Sequence, residues 1–470
     1  MLIADWTLWM FAAVLIGLIG YGMFNGAMWT QFQTRTVNKI TADENERITA
    51  QKNEIAAIEA GTSQPRLYRD PRDPAFMGGI FGGSGRFVWM SPAPLAALSV
   101  GQSDLYPYYF KVAVGSKQNF MSNDEIENPH NLLAGSFDLA FVIVYLFPLV
   151  ILALSFNLLS QEKEQGTLAL TLSQPLNLRS LVLGKIIARF VPIAILTTTF
   201  VLLGGFLVGV DFSADGAARQ MVLWIIATII YAAFWFGLAA LVNSFGKSSA
   251  TNALTLAGIW LLLVLIIPAL LNIFTTTLYP VASRTEIVQA TRRAAEDADA
   301  RSGQLLSKYL TDHPELTPTN TKAEFGEYFS RIIVATLDAE KQTQPVLDDF
   351  NRQLTNRQQL VNRFRFISPA VVVQEAFNDL AGTSQPRYAE FTKQADEYHQ
   401  MWRGFYYPKI LRQDTINSAD YAELPRFSYI AESSDAVTQR VFAGLIGLLA
   451  PTVLVFAFAV INLRRYLIAG

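Results

Sequence analysis

The residue types that usually do chemistry are sparse in this chain, and their spacing argues against a catalytic centre. The three histidines, His130, His313 and His399, are scattered. None belongs to a His-Glu-x-x-His helix, the spacing that sets two imidazoles on one face to hold a metal. There is no cysteine, which removes thiolate ligands, thiol nucleophiles and disulfide staples together. Gly246-Lys247-Ser248 has the lysine and hydroxyl of a phosphate-binding loop, but that loop needs a glycine five positions before its second one, and Leu241 stands there. The glycines from Gly78 to Gly85 lack the strand-to-helix context that turns backbone N–H groups into a phosphate cradle, so they read as a flexible loop. One stretch of a different kind remains. Gln161 to Lys185 is charged, broken at Gly166, and lies between two long apolar segments. Such a hairpin is poorly suited to carrying a substrate and well suited to receiving force from a soluble partner.

The elements that must position this hairpin are membrane spans. Hydrophobic residues make up 51% of the 470 positions and charged residues 16%, well below the roughly 25% charged of soluble domains. The net charge of −2 and the lack of any Lys/Arg run exclude a nucleic-acid partner. Six apolar runs reach the roughly 20 residues a helix needs to cross the hydrocarbon core: Trp6 to Trp29, Phe137 to Leu159, Ile186 to Val210, Met221 to Val242, Ala253 to Phe274 and Val441 to Leu463. Lys163, Arg179, Lys185 and Arg189 flank the second and third runs, Lys247 sits between the fourth and fifth, and Arg464 and Arg465 follow the sixth. The positive-inside bias makes these ends cytoplasmic, and an even count brings both termini to that side. Met1 to Asp5 carry no basic residue, which argues for a retained first span rather than a cleaved leader. Mid-span charge of the kind used in ion relays is missing, which discounts an ion-coupled carrier. Pro148, Pro192, Pro268 and Pro451 are kink sites, and Gly204, Gly205, Gly237, Gly258, Gly444 and Gly447 permit close helix packing, including a dimer seam.

The resulting expectation is an all-α polytopic membrane protein with a large, mainly helical extracytoplasmic domain built from the two polar inter-span segments. Its sections are 1–29 (cytoplasmic tail and first span), 30–136 (first extracytoplasmic segment), 137–159 (second span), 160–185 (cytoplasmic hairpin), 186–274 (third to fifth spans), 275–438 (second extracytoplasmic segment) and 439–470 (sixth span and tail). Val37, Ile40, Ile48, Ile55 and Ile58 continue the first span outward as a helix, after which prolines and glycines predict loops. The second segment predicts helices over Arg284–Leu310, Lys322–Asp338, Val346–Phe366, Ala370–Leu380 and Arg387–Trp402. Neither segment has a clear core alone, so the two are expected to pack together. Gly-Thr-Ser-Gln-Pro-Arg occurs at both Gly61 and Gly382, read as coincident turn chemistry rather than a duplicated unit.

Glu-x-Gly-Thr-x-x-Leu from Glu164, followed by Pro175, Arg179 and Gly184-Lys185, resembles the cytoplasmic hairpin of ABC-2 type permeases, the membrane subunits of ATP-driven exporters. Ser91 to Asp104 and Pro369 to Thr383 are similar to outer-domain signatures of a bacterial ABC-2 subgroup carrying the domain of unknown function 3526. The resemblance implies a multi-pass bacterial inner-membrane protein that pairs with a second copy or a sister permease and docks a cytoplasmic ATPase subunit. ATP and magnesium would be bound there, with no cofactor on this chain. It assigns the contact with the ATPase to Glu162, Glu164, Gly166 and Thr167, with Lys163, Pro175 and Arg179 in the same hairpin. The outer domain would guide substrate toward another envelope component. The alternative from a different class is a non-transporting scaffold or sensor whose outer helices bind an envelope partner. An intramembrane hydrolase ranks last, because no nucleophile, base and metal can be assembled.

Overall fold

The computed structural model of the chain describes residues 6–465 apart from 67–68, 81–83, 102, 118–135, 176 and 319–325. His130, Leu176, Lys322 and the tail Met1–Asp5 therefore lie outside the described residues. From the amino end, α1 (Trp6–Glu59) is followed by two short strands, β1 (Arg86–Trp89) and β2 (Tyr109–Val112). Next come α2 (Leu139–Glu164), the short α3 (Leu168–Leu172), α4 (Leu178–Leu207), α5 (Ala217–Asn243) and α6 (Ser249–Leu278). A more polar section holds α7 (Arg284–Ala300), α8 (Ser302–Asp312), α9 (Gly326–Phe364), α10 (Pro369–Ala381) and α11 (Gln385–Leu411), and α12 (Ser434–Leu463) closes the chain. Six of these helices, α1, α2, α4, α5, α6 and α12, are long and apolar enough to cross a membrane.

Two of the six are wider than an α-helix over about one turn. α2 is π-helical at Val142–Leu146 and α6 at Leu261–Ile266, and Pro148 and Pro268 come two residues after these stretches. Proline has no N–H and its ring crowds the preceding turn, so the hydrogen-bond ladder fails there and re-forms at a longer spacing. Carbonyls left over are capped from other elements. Val144 O, four residues before Pro148, accepts from the Tyr231 hydroxyl of α5 at 2.9 Å. Leu263 O, five residues before Pro268, accepts from Ser368 Oγ at 2.6 Å, and Trp260 Nε1 of α6 donates to Tyr145 O of α2 at 3.2 Å. Non-α backbone inside an apolar layer is tolerable only when its polar groups are satisfied in this way.

Most of the glycines noted as packing sites are used between helices of the chain itself. A Cβ on Gly204 would strike Met23 of α1, one on Gly237 would sit 3.0 Å from the Phe456 ring of α12, and one on Gly447 would strike Phe366. Gly258 faces open space.

The sections after α1 and α6 share one core. Ile55 of α1, Val88 of β1 and Phe110 and Val112 of β2 are buried together with Ile333 of α9 and with Phe391, Trp402 and Tyr406 of α11. α1 enters both cores, since Leu15, Ile19 and Met23 are buried among the spans. Arg403 of α11 grips Glu340 of α9 through two bonds of 2.7 and 2.8 Å and also donates to Val114 O and Gly115 O at 3.1 and 2.9 Å.

The all-α expectation is corrected by β1 and β2, an antiparallel pair with Arg86 opposite Val112 and Trp89 opposite Tyr109. Runs of four residues are too short to show a strand period. Tertiary partners hold this one: the Phe87 N–H donates to Glu44 of α1 at 3.1 Å. The helices at Lys322–Asp338 and Val346–Phe366 are in fact one, α9, running through Pro345. Pro345 and Lys341 both face outward, so the carbonyl that the proline leaves unpaired meets solvent. Arg284–Leu310 is instead two helices broken at Arg301, whose guanidinium joins Asp297 at 2.7 Å and Asp338 of α9 at 3.1 Å. The repeated hexapeptide is a helix stop used twice. Gly61 and Gly382 are both left-handed (φ 74° and 67°), and Thr62 and Thr383 each return backbone N–H and hydroxyl to the carbonyl five residues back.

The largest departure is α10. The sequence sets it in the polar section, yet Val373, Phe377 and Leu380 are buried with the apolar helices, and Phe377 stacks on Trp224 of α5 at 4.0 Å between ring centroids. Phe366 lies against Gly447 of α12, and Ser368 bonds to Leu263, near the middle of α6. The chain between α9 and α10 thus dips along two span-length helices and returns. It brings charge with it in pairs, Arg365 with Glu375 at 2.7 Å and Asp379 with Arg440 of α12 at 3.3 Å, with Glu432 on the other side of Arg440. An apolar repeat every three or four residues looks the same in a surface helix and in an inserted one, which is why periodicity missed this.

Candidate functional site

The hairpin is built from a break in α2. The helix loosens at Phe156–Leu159 and resumes over Ser160–Glu164. Gly166 then takes φ 70°, a conformation that strains any side chain. Its N–H donates to Lys163 O at 3.1 Å, and the Thr167 N–H and hydroxyl donate to Glu162 O at 2.9 and 3.3 Å. The chain reverses into α3, where Leu168 is buried among the spans while Leu170 is 72% exposed. Gln165, Thr167, Ala169, Pro175 and Arg179 are also exposed. Asn177 Oδ1 accepts from the Ser180 N–H at 2.8 Å and starts α4, so Arg179 and Lys185, the last part of the hairpin section 160–185, lie on that helix.

The root of the hairpin is braced by its own charges. Glu162 pairs with Lys185 at 2.7 Å, and Lys185 Nζ also donates to Leu158 O, a carbonyl at the α2 break, at 2.7 Å. Glu164 accepts from the N–H and Oγ of Ser249 at 2.6 and 2.9 Å, which sets a carboxylate against the first turn of α6, where the helix dipole favours it. Lys163 Nζ reaches Gly246 O at 3.3 Å. Gly246-Lys247-Ser248 is the non-helical lead into that helix, with Ser248 Oγ capping it by accepting from the Thr251 N–H. The two glutamates that the resemblance assigned to an ATPase are therefore held by Lys185 and Ser249. The outward surface is apolar at Leu170 and otherwise mainly polar.

Asn243, missed in the sequence, ties this region together. It is buried and uses its full hydrogen-bonding capacity: its Nδ2 donates to Ser155 O and Ala239 O at 3.2 and 2.8 Å, and its Oδ1 accepts from the Leu159 N–H and from Asn252 Nδ2, both at 3.2 Å. A lone amide closing an apolar run was the available signal. Asn252 is thus part of the same brace, and Thr255 returns its hydroxyl to Thr251 O. An apolar cavity of about 510 Å³ opens between α1, α2 and α4 beside Pro192, walled by Leu15, Val150 and Leu196.

The described histidines stay apart. His313 Nδ1 lies 3.3 Å from Glu315, and His399 is buried with Nε2 2.9 Å from Gly115 O. Burial and the nearby Arg403 push the His399 imidazole down to about 4, so it is neutral at pH 7.

The two outer signatures meet each other. Ser99 Oγ donates to Asn378 Oδ1 at 2.8 Å, and Gly101 has no room for a side chain beside Asn378 and Thr383. The N–H groups of Val100 and Gly101 donate to the carboxylate of Asp138 at 2.8 and 3.3 Å, while Asp138 also caps α2 through the Phe141 N–H at 2.7 Å. Residues 284–430 match the family model described as Domain of unknown function (DUF3526), a span that includes the Pro369–Thr383 signature and neither the Ser91–Asp104 signature nor the hairpin. No curated protein and no solved structure matches the chain.

Proposed function

We propose that this chain is the membrane-spanning permease subunit of an ATP-driven exporter of the ABC-2 type. It would pair with a second copy or a sister permease in a bacterial inner membrane and dock a cytoplasmic ATPase at the α2–α4 hairpin. The observation that carries this reading is the hairpin itself: α3 offers an exposed Leu170 on a short element whose base is fixed by Glu162–Lys185 and Glu164–Ser249. An apolar side chain on a fixed mount is what a partner's groove needs as an anchor. The cations Lys163, Arg179, Lys185, Lys247, Arg464 and Arg465 support a cytoplasmic position for this end under the positive-inside bias. Both termini then lie on that side, and the unit built from β1, β2, α7–α9 and α11 is extracytoplasmic, with α10 inserted among the spans. ATP and magnesium belong to the partner, whose closure would push the hairpins and rock the spans between inward- and outward-facing arrangements.

The test is purification of the tagged chain from its native membranes and identification of a co-eluting ATPase subunit. Wild type should retain that subunit and Leu170→Asp should lose most of it while keeping its helical content; equal retention would remove α3 as the docking element. Because the chain has no cysteine, Gln174→Cys and Asn351→Cys report orientation directly. An impermeant maleimide applied to intact spheroplasts should label the second and spare the first.

A further inference from the structure

α6 is attached differently from the other spans. Only 11% of its most apolar window is buried within the chain, the lowest share of the six, against 22% for α4, 28% for α12, 33% for α1 and 67% for α2 and for α5. Its ties are few and lie at three levels. At the inner end the Ser249 N–H and hydroxyl are held by Glu164, Ser249 Oγ lies 2.8 Å from Ser160 Oγ, and Asn252 reaches Asn243, which is itself bonded to both sides of the α2 break. In the middle, Trp260 donates to Tyr145 O, and Leu263 O accepts from Ser368 at the tip of the re-entrant turn. At the outer end Tyr279 O accepts from Arg357 Nε of α9 at 2.6 Å. Leu263 and Tyr279 are 16 residues apart, about 24 Å of helix, so α6 joins the hairpin root to the re-entrant turn and then to α9.

Resting on the export reading, we infer that α6 carries the motor's stroke from the hairpin to the outer unit, and that the Glu164–Ser249 clamp is where the stroke enters it. Ser249 is then a positioning residue. The geometry supplies a selective way to undo the clamp. Ser249 is the first residue of α6, and Ser248 before it has φ −67° and ψ 158°. Proline is favoured at that helix position, and the residue before a proline prefers that extended conformation. Ser249→Pro therefore deletes both donors to Glu164 while sparing the helix and leaving Glu164 in place.

The experiment places nitroxides at Gln174→Cys on the hairpin and Asn351→Cys on α9 and measures their separation by pulsed electron resonance in the purified permease–ATPase complex, with and without ATP. The expected result is an ATP-dependent shift of the distance distribution in the otherwise wild-type complex and its loss in Ser249→Pro, with ATPase retention unchanged. A shift that persists in Ser249→Pro overturns this inference alone, and no shift in the wild-type complex overturns the export reading with it. A second arm does not depend on the proline. In Ser160→Cys/Ser249→Cys, oxidation should restore the clamp covalently and keep the shift even with Glu164→Gln; abolition of the shift by oxidation would mean that sliding between hairpin and α6 is what matters, and the inference falls.

Discussion

Tyr231 donates its phenolic hydrogen to the carbonyl oxygen that Pro148 cannot serve, that of Val144, at 2.9 Å. Tyr231 is fully buried, so removing the hydroxyl strands that carbonyl in an apolar layer. Tyr231→Phe should lower stability by about 1–2 kcal/mol, read as an earlier midpoint in detergent unfolding. An unchanged midpoint would mean that the π-helical stretch of α2 satisfies its own backbone.

Arg403 grips Glu340 through both terminal guanidinium nitrogens, at 2.7 and 2.8 Å. Arg403 is 5% exposed and also serves two loop carbonyls. Arg403→Ala leaves Glu340 unpaired, with Val114 O still held by the Tyr407 hydroxyl at 2.7 Å and Gly115 O still beside His399 Nε2 at 2.9 Å, and should cost about 3–5 kcal/mol. Arg403→Lys should recover only part of that, because an ammonium cannot form the two-pronged pair. Limited proteolysis across 284–430 provides the readout, and indifference to both substitutions would refute the role.

His399 makes the outer core sensitive to acid. Its folded value of about 4 lies below the ordinary 6.5, so between those values the unfolded chain binds a proton that the folded chain refuses. Stability is therefore complete above about pH 6.5 and falls as pH drops toward 4, by about 1.4 kcal/mol per unit over that window. His399→Gln should flatten the unfolding midpoint between pH 7 and 4.5. An equally steep slope in that variant would assign the acid sensitivity to other groups.

Glu162 and Lys185 provide a swap test of the hairpin root. Glu162→Lys sets two cations where a 2.7 Å pair stood and should speed proteolytic cutting near Gly166 and weaken ATPase retention. The double variant Glu162→Lys/Lys185→Glu should regain most of both. Failure of the swap to rescue, with the single variant impaired, would show that Glu162 serves the partner directly.

Much of this molecule was legible from composition and periodicity. Each of the six apolar runs falls largely or wholly within a span-length helix, and the outward run of α1 through Ile58 follows the spacing of its isoleucines. Hidden features share a cause: they depend on partners far away in sequence. β1 and β2 exist because α1 and α11 hold them. Ser368 gives no hint that it will meet a carbonyl 105 residues earlier. Pro148 and Pro268 were visible as kink sites, but what repairs each kink is a tertiary fact. In the hairpin, residue types alone could not separate glutamates offered to a partner from glutamates already engaged by Lys185 and Ser249.

α1 is a single helix of 54 residues, with one end among the spans and Glu59 at the other accepting two bonds from Ser418 at 2.9 and 2.6 Å. About 30 of those residues lie past its apolar part, roughly 45 Å at 1.5 Å per residue, so a five-degree tilt in the bilayer sweeps the tip sideways by about 4 Å. The outer unit is seated on that mast. A change of bilayer thickness that leans the first span would swing the whole headpiece, giving lipid composition a purchase on the unit seated at the far end of α1.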